Sequence, residues 1–234
     1  MTTCTKPVGV YSLTPFTQLD YPGELACIVW FAGCNLRCAY CHNPEMVRSV
    51  GTKPWDEILA FLQQRQGRLT GVVFSGGEAT LHPHLVPFAR DVKALGHKLK
   101  LDTNGTRPDV VQTLVAEGLL DMVAMDYKAP RAKFKQVTGL RESLWDAFGK
   151  TLDILIQNHH VALDIRTTVH TDLLNEMDVL AIQDDLKQRG YTGTYHVQNY
   201  RHGETLGNLK PQKIILNQAF VATPRKVRVA FRNF

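Results

Sequence analysis

The sequence predicts an α/β protein built as a partial, open parallel β/α barrel of about six β/α units, and three observations carry that prediction. Short apolar runs that read as buried strands alternate with segments whose apolar residues recur every three or four positions. This alternation repeats six times without interruption, which implies parallel strands joined by right-handed helical crossovers. A chain of 234 residues with 44% hydrophobic content can bury a large core, but a closed eight-fold barrel takes about 250 residues. One domain over residues 1–234 is expected, with a lead-in over 1–23, a core over about 24–200 and a basic extension over 205–234.

In chain order, residues 8–25 read as an irregular lead-in, with Pro15, Pro22 and Gly23 as turn signals. The apolar run 26–31 is the first strand. Beyond a cysteine-rich loop, Pro54 opens a helix through Gln66, with Trp55, Ile58, Leu59 and Leu62 at helical spacing. Residues 71–74 form the second strand and 83–95 a helix. A third strand over 98–102 ends in the turn Thr103-Asn104-Gly105, and a helix over 108–117 leads to a fourth strand at 122–126. After the loop that holds Lys128 come a helix over 142–158, a strand over 161–169, a helix over 174–189 and a sixth strand over 194–197.

Composition narrows the class. No apolar run approaches the length of a membrane span, and Met1-Thr2-Thr3-Cys4-Thr5-Lys6-Pro7 lacks the charged-then-apolar pattern of a secretory signal, so a cytoplasmic protein is expected. Five cysteines, three of them in one loop, fit a reducing compartment and metal ligation better than a disulfide framework. Cys27 lies on an apolar strand and Cys4 in a polar stretch, so neither offers itself as a fourth ligand. The net charge of +5 is concentrated at Lys210, Lys213, Arg225, Lys226, Arg228 and Arg232, with no acidic residue from Lys210 onward. Nucleic-acid binding is one reading of that excess. The favoured one is an edge strand guarded by cations, because Lys226 to Phe231 alternates basic and apolar residues.

The chemistry centres on Cys34-Asn35-Leu36-Arg37-Cys38-Ala39-Tyr40-Cys41. No second cysteine pair follows. A structural zinc site closes with four protein ligands, whereas three thiolates on a cubane cluster leave one metal open. In barrel folds the chemistry collects at the carboxyl ends of the strands, and the unusual polar residues gather there in one expected mouth. Ser75-Gly76-Gly77-Glu78 follows the second strand, Asp102-Thr103-Asn104-Gly105 the third and Asp126-Tyr127-Lys128 the fourth; Arg166 and His170 lie at the fifth, and Gln198-Asn199-Tyr200 at the sixth. Adjacent glycines let a ligand approach bare backbone, and Glu78 beside them can hold an ammonium group. Asp102 suits ribose hydroxyls. Asp126 and Lys128, two apart on a strand, offer both charges to one zwitterion, Arg166 can fork onto a carboxylate, and Tyr40 can cover an aromatic base. Taken singly, a Gly-Gly pair is a turn, Asp-x-Lys a surface pair and Arg166 a solvent-facing side chain. His82, His84, His97, His159 and His160 read as surface or capping residues. Three thiols in eight residues are different, since that density points to a metal.

Cys-x-x-x-Cys-x-aromatic-Cys after one strand, with Gly-Gly-Glu after the next, resembles the signature of radical S-adenosylmethionine enzymes. Asp20-Tyr21-Pro22-Gly23, Cys41-His42-Asn43-Pro44, Phe74-Ser75-Gly76-Gly77-Glu78, Asp126-Tyr127-Lys128-Ala129-Pro130 and Arg166-Thr167-Thr168-Val169 are similar to the activating proteins of anaerobic ribonucleoside-triphosphate reductase. The likeness covers roughly residues 8–205; the Cys-His-Asn and Asp-x-Lys elements are shared with the activase of pyruvate formate-lyase.

The resemblance implies a radical SAM fold and one [4Fe–4S] cluster on Cys34, Cys38 and Cys41, with the amino and carboxylate groups of exchangeable S-adenosylmethionine on the fourth iron. It implies that Gly76, Gly77 and Glu78 hold the methionyl amine, that Lys128 and Arg166 lie near its carboxylate and that Tyr40 lies by the adenine. His42, Asp102, Asn104, Asp126 and His196 complete the implied cofactor-binding set. A flavodoxin- or ferredoxin-like donor would reduce the cluster, and reductive cleavage of the sulfonium would yield methionine and a 5′-deoxyadenosyl radical. That radical would take a hydrogen atom from one glycine of the large reductase subunit. Another glycyl-radical protein or a small molecule is the alternative target. A zinc-stabilised nucleic-acid module on Cys34, Cys38, Cys41 and His42 is the alternative from a different class, and a ferredoxin fits poorly because it closes every cluster position with cysteine.

Overall fold

The computed structural model describes residues 9–139, 143–222 and 227–234. Cys4, Arg225, Lys226 and Glu142, where a helix was expected to start, lie outside them. Eight strands form a sheet in sequence order. The first, β1 (Val10–Thr17), runs antiparallel to β2 (Ala26–Phe31), and every further pairing for which a register is defined is parallel. The α/β class and the open, mostly parallel sheet are as the alternation predicts.

By contacts the chain divides into two compact units, each made of separated segments: 1–35, 43–103 and 109–123 in the first, 36–42, 104–108 and 124–234 in the second. The first unit carries β1, β2, β3 (Gly71–Gly76) and β4 (Lys98–Thr103), with helices α1 (Pro44–Arg48), α2 (Trp55–Gln64), α3 (Leu85–Ala94) and nearly all of α4 (Pro108–Ala116). β2 is buried almost throughout, which is why it reads as a continuous apolar run and not as an alternating one. β1 corrects the expectation of an irregular lead-in. Pro15 breaks the strand pattern, yet a strand at the sheet edge tolerates a missing N–H, and the register shifts between Thr14 and Thr17 where Pro15 lies. Helix α1 escapes periodicity because it is five residues long; Pro44 at its start is its one local signal.

Strand β5 (Met122–Asp126) crosses the division between the units. The second unit continues with α5 (Arg131–Thr138), α6 (Ser143–Gln157), β6 (Ala162–Val169), α7 (Glu176–Gln188), β7 (Thr194–Asn199), α8 (Gln218–Val221) and β8 (Arg228–Arg232). Helix α5 lies where a loop is expected after Lys128. Only Phe134, Val137 and the methyl-bearing Thr138 are buried from its eight residues, too few to register as a helical stripe. Strand β8 pairs in parallel with β7 and ends the sheet order, so the alternating basic segment is an edge strand as favoured. Among the described residues no helix is long and apolar enough to cross a membrane.

Candidate cluster and cofactor site

The expected site residues fall in both units: Cys34, Gly76, Gly77, Glu78 and Asp102 in the first, and Cys38, Tyr40, Cys41, His42, Asn104, Asp126, Lys128, Arg166 and His196 in the second. In the first, Cys34 follows directly on a backbone latch. The Gly77 N–H donates to the Phe31 carbonyl at 2.9 Å, the Glu78 N–H to that of Gly33 at 2.9 Å, and the Gly33 N–H to that of Met46 at 2.8 Å. The latch explains the glycine pair. A Cβ on Gly77 would lie 2.0 Å from the Gly33 oxygen, and one on Gly76, at φ 124°, would lie 2.3 Å from the Phe31 oxygen. These glycines therefore serve close approach of two protein segments, a need that the motif alone does not distinguish from ligand access.

Glu78 is 2% exposed. Its Oε1 accepts from the Thr80 N–H at 3.1 Å, the Thr80 hydroxyl at 2.5 Å and the Thr103 hydroxyl at 2.8 Å, which fastens the one-turn 3-10 helix Ala79–Leu81 to the end of β4. Asp102 accepts from the Ser75 hydroxyl at 2.9 Å and pairs with the buried Lys100. His82 is buried, against the expectation of a surface residue, although it caps the turn by accepting from the His84 N–H at 3.1 Å. Its ring packs against Phe31 and Phe88, and burial with the neighbouring His84 pushes its pKa down to about 4. His97 is buried too, with Nδ1 on the Leu69 carbonyl.

The second unit holds the charged part. Asp126 receives Lys128 Nζ at 2.8 Å and Arg166 Nε at 2.7 Å, and Lys128 also stands over the Tyr40 ring, 5.6 Å from its centroid. Burial works to raise the Asp126 pKa, yet Lys128 and Arg166 hold the carboxyl well below the usual carboxylate range. Burial likewise works against a charged Lys128, but Asp126 keeps its pKa well above that of a free lysine. The solvent-facing alternative for Arg166 does not apply. Burial pushes the Cys38 thiol up to about 11, against the pull of Lys128, so binding there requires a metal soft enough to displace the proton. Asn104 caps its own turn, accepting from the Thr106 N–H at 3.0 Å and hydroxyl at 2.7 Å. His196 Nδ1 is 2.5 Å from Asp164, which also takes Arg232 at 3.2 Å.

A further part of the site lies beyond the expected core. The Leu206 N–H donates to the Cys41 carbonyl and the Gly207 N–H to that of Ala39, both at 2.9 Å, so a strap from the C-terminal region is hydrogen-bonded to the cysteine loop. His42 stacks on Tyr200 at 5.4 Å between centroids, and His170, fully buried, meets the Tyr200 ring at 4.7 Å between centroids while its Nε2 bonds the Lys210 carbonyl. Backbone bonds carry the strap, so no side-chain pattern announces it.

Two observations test whether an iron–sulfur cluster and an adenosylated ligand suit these residues. The Tyr40 hydroxyl is buried without a hydrogen-bond partner in the middle of the Cys-x-aromatic-Cys segment, a vacancy in polar satisfaction that a bound group can fill. Cys34, Cys38 and Cys41 are all free thiols, and thiolates are the ligands that hold an iron–sulfur cluster. The residues fit.

A family model described as the radical SAM superfamily matches residues 28–181. The chain belongs to the radical SAM superfamily. Its cofactors are those of the superfamily, a [4Fe–4S] cluster and S-adenosylmethionine, and Cys34, Cys38 and Cys41 all lie within the matched region. A Methanocaldococcus jannaschii protein named as a glycyl-radical enzyme activating enzyme is 31% identical, over 76% of this chain and 75% of its own length. The pyruvate formate-lyase-activating enzyme of Clostridium pasteurianum is 31% identical over 62% of this chain and 63% of its own. Among solved structures, Streptococcus suis SuiB bound to S-adenosylmethionine aligns with a TM-score of 0.63 at 15% identity, covering 86% of this radical SAM chain and 48% of that one. That likeness establishes the fold.

Proposed function

We propose that this radical SAM protein is a glycyl-radical activase whose target is one glycine of an anaerobic, class III ribonucleoside-triphosphate reductase, with a flavodoxin- or ferredoxin-like protein as electron donor. The observation that carries the catalytic half is the Asp126–Lys128–Arg166 group beside Tyr40, in the same unit as Cys38 and Cys41. Two fixed cations and a carboxylate held ionised suit a zwitterionic amino acid and an adenine. The relatives named as glycyl-radical activating enzymes and the Cys41-His42-Asn43-Pro44 motif support the target class, and the Asp20-Tyr21-Pro22-Gly23 motif supports the reductase.

In this reading Cys34, Cys38 and Cys41 hold the cluster. When bound, the cluster and S-adenosylmethionine supply reductive sulfonium cleavage and hydrogen-atom abstraction. The chain's own residues bind, orient and exclude water. Lys128 and Arg166, locked by Asp126, orient the methionyl carboxylate, and Gly76, Gly77 and Glu78 form the amine side of the site, the latch keeping Cys34 in register with them. Tyr40 lies by the adenine. Asp102, Asn104 and His196 line the site as polar groups already braced by Ser75, Thr106 and Asp164, and His42 anchors the cysteine loop on Tyr200.

Anaerobic reconstitution with iron and sulfide tests the proposal. Mixing the reduced protein with S-adenosylmethionine and the reductase should give 5′-deoxyadenosine and a glycyl-radical doublet by electron paramagnetic resonance. Cofactor cleavage with no doublet above a cofactor-free control overturns the reductase assignment and favours a small-molecule target. Relatives named 7-carboxy-7-deazaguanine synthase, one 34% identical over 37% of this chain, keep that second reading in view.

A further inference from the structure

His170 after β6 and Asn199 at the end of β7, two strand-end residues that the cofactor site does not use, hold the strap that follows β7. His170 is fully buried. Its Nδ1 faces the Asp172 N–H at 3.2 Å and must accept there, so its Nε2 carries the proton that goes to the Lys210 carbonyl at 2.9 Å. Gln212 Nε2 donates to Asn199 Oδ1 at 2.8 Å, while its Oε1 accepts from the Thr171 N–H at 2.9 Å. Ahead of these anchors the strap makes its own turn. The carbonyl of the buried Thr205 accepts from the Asn208 N–H at 3.1 Å and its hydroxyl from the Leu209 N–H at 3.0 Å, with Asn208 in the left-handed region at φ 50°.

This turn presents two backbone donors to the cysteine loop. The Cys38–Cys41 turn is closed by its own bond from the Cys41 N–H to the Cys38 carbonyl at 3.0 Å, and the Leu206 and Gly207 N–H groups add bonds at 2.9 Å to the Cys41 and Ala39 carbonyls. Gly207 permits the approach. A Cβ there would lie 2.6 Å from the Ala39 Cβ and 2.8 Å from its Cα, so any side chain would push the strap off the loop. On the other flank of Cys41, His42 stacks on Tyr200 with 18° between the ring planes. Every one of these contacts is protein to protein, so the chain itself sets the shape of the turn.

We propose that the strap from Tyr200 to Gln212 is the positioning element for Cys38 and Cys41, with Gly207 and Gln212 as its positioning residues, and that it governs how firmly a [4Fe–4S] cluster is held. The inference rests on the reading of those two thiols as cluster ligands, and the strap lies after residue 181, where the match to the family model ends. Amides bonded to the Ala39 and Cys41 carbonyls restrict rotation of the peptide units between the two thiols and so keep their separation fixed. Small domains without such support order their metal ligands only as the metal binds. Groups that orient metal ligands are worth roughly 10- to 100-fold in metal affinity.

The test compares Gly207→Ala and Gln212→Ala with the wild-type chain under anaerobic conditions. In the apo-protein, alkylation of the buried Cys38 by iodoacetamide, mapped by mass spectrometry, should be about tenfold faster or more in Gly207→Ala and raised less in Gln212→Ala. Cys27, fully buried on β2, reports on the fold and should stay unlabelled in both. After reconstitution with iron and sulfide, a chelator should strip iron from Gly207→Ala about tenfold faster or more, and the electron paramagnetic resonance g-values of its reduced cluster should shift, which a mere loss of global stability does not cause. Labelling and iron loss at wild-type rates in Gly207→Ala overturn the proposal. Should Gly207→Ala expose Cys27 as well, the half-buried Gln212 decides: in Gln212→Ala, faster Cys38 labelling with Cys27 protected supports the strap, and wild-type labelling, or exposure of Cys27 here too, overturns it. If the wild-type protein assembles no [4Fe–4S] cluster the ligand reading fails, and alkylation of the apo-protein still decides whether the strap holds the turn.

Discussion

Two carboxylates, Glu78 in the first unit and Asp126 in the second, do opposite work with the same functional group. Glu78 Oε1 accepts from two hydroxyls and an amide N–H, neutral donors that brace the turn after β3 against the end of β4. Asp126 is enclosed by two cations whose charge it fixes in place. The first unit's motif thus braces chain segments, and the second unit's motif fixes two cations on one carboxylate. A methyl group should be the more damaging change in the first, and loss of a charge the more selective change in the second.

The largest expected effect follows from the latch. Gly77→Ala forces a Cβ to within 2.0 Å of a carbonyl oxygen that belongs to backbone and cannot swing away. Overpacking of this kind, with the backbone displacement it compels, costs about 3 kcal/mol or more. Lys128→Met deletes a whole charged group, yet Asp126 keeps Arg166, so the loss should stay near 1–2 kcal/mol. Urea unfolding of both apo-proteins measures the contrast. Equal midpoints would erase the distinction between the two motifs.

A second effect, somewhat smaller, sharpens the comparison through pH. His82 in the first unit has a pKa lowered from 6.5 to about 4 by burial and by His84. The folded state therefore binds fewer protons than the unfolded state between those values, and stability rises with pH across that window. Its contribution is complete above pH 6.5 and is lost as the pH falls toward 4, by up to about 3 kcal/mol in all. His82→Gln should flatten the urea midpoint between pH 7 and pH 4.5 relative to wild type. An unchanged slope in the variant would assign the acid sensitivity elsewhere.

Much of this arrangement was legible in the sequence, for physical reasons that also mark where legibility stops. Buried parallel strands announce themselves as apolar runs, so 26–31, 71–74 and 122–126 were read within two residues of β2, β3 and β5. The strand-end rule selected Asp126, Lys128 and Arg166, and the structure joins those three in one network. What escaped depends on backbone. The strap at Leu206 and Gly207 bonds through amides that every residue has. Strand β1 hides behind Pro15, and α5 behind a run of cations with only a narrow buried stripe. His82 caps its turn as one of its two readings has it, but its burial escapes because a histidine flanked by loop residues carries no periodic sign of it. Gly76 and Gly77 read as ligand access, and the close approach of two backbone oxygens that the structure adds has no sign of its own in the motif.

The smallest expected effect is the most discriminating for the second unit. Glu78 Oε1 in the first unit takes three donors, but the Tyr40 hydroxyl is buried with no partner, in a ring 5.6 Å from Lys128 Nζ. An unmatched buried hydroxyl is a cost to the apo-protein, so Tyr40→Phe should leave its stability unchanged or raise it by up to about 1 kcal/mol. If a bound adenosyl group supplies the missing partner, the same change should weaken S-adenosylmethionine binding about five- to ten-fold, the equivalent of one lost hydrogen bond. Titrating the reduced cluster's electron paramagnetic resonance spectrum with the cofactor reads that affinity without turnover. A variant that is less stable yet binds the cofactor normally would mean that the hydroxyl serves the protein interior, and would bring the second unit's logic back to that of the first.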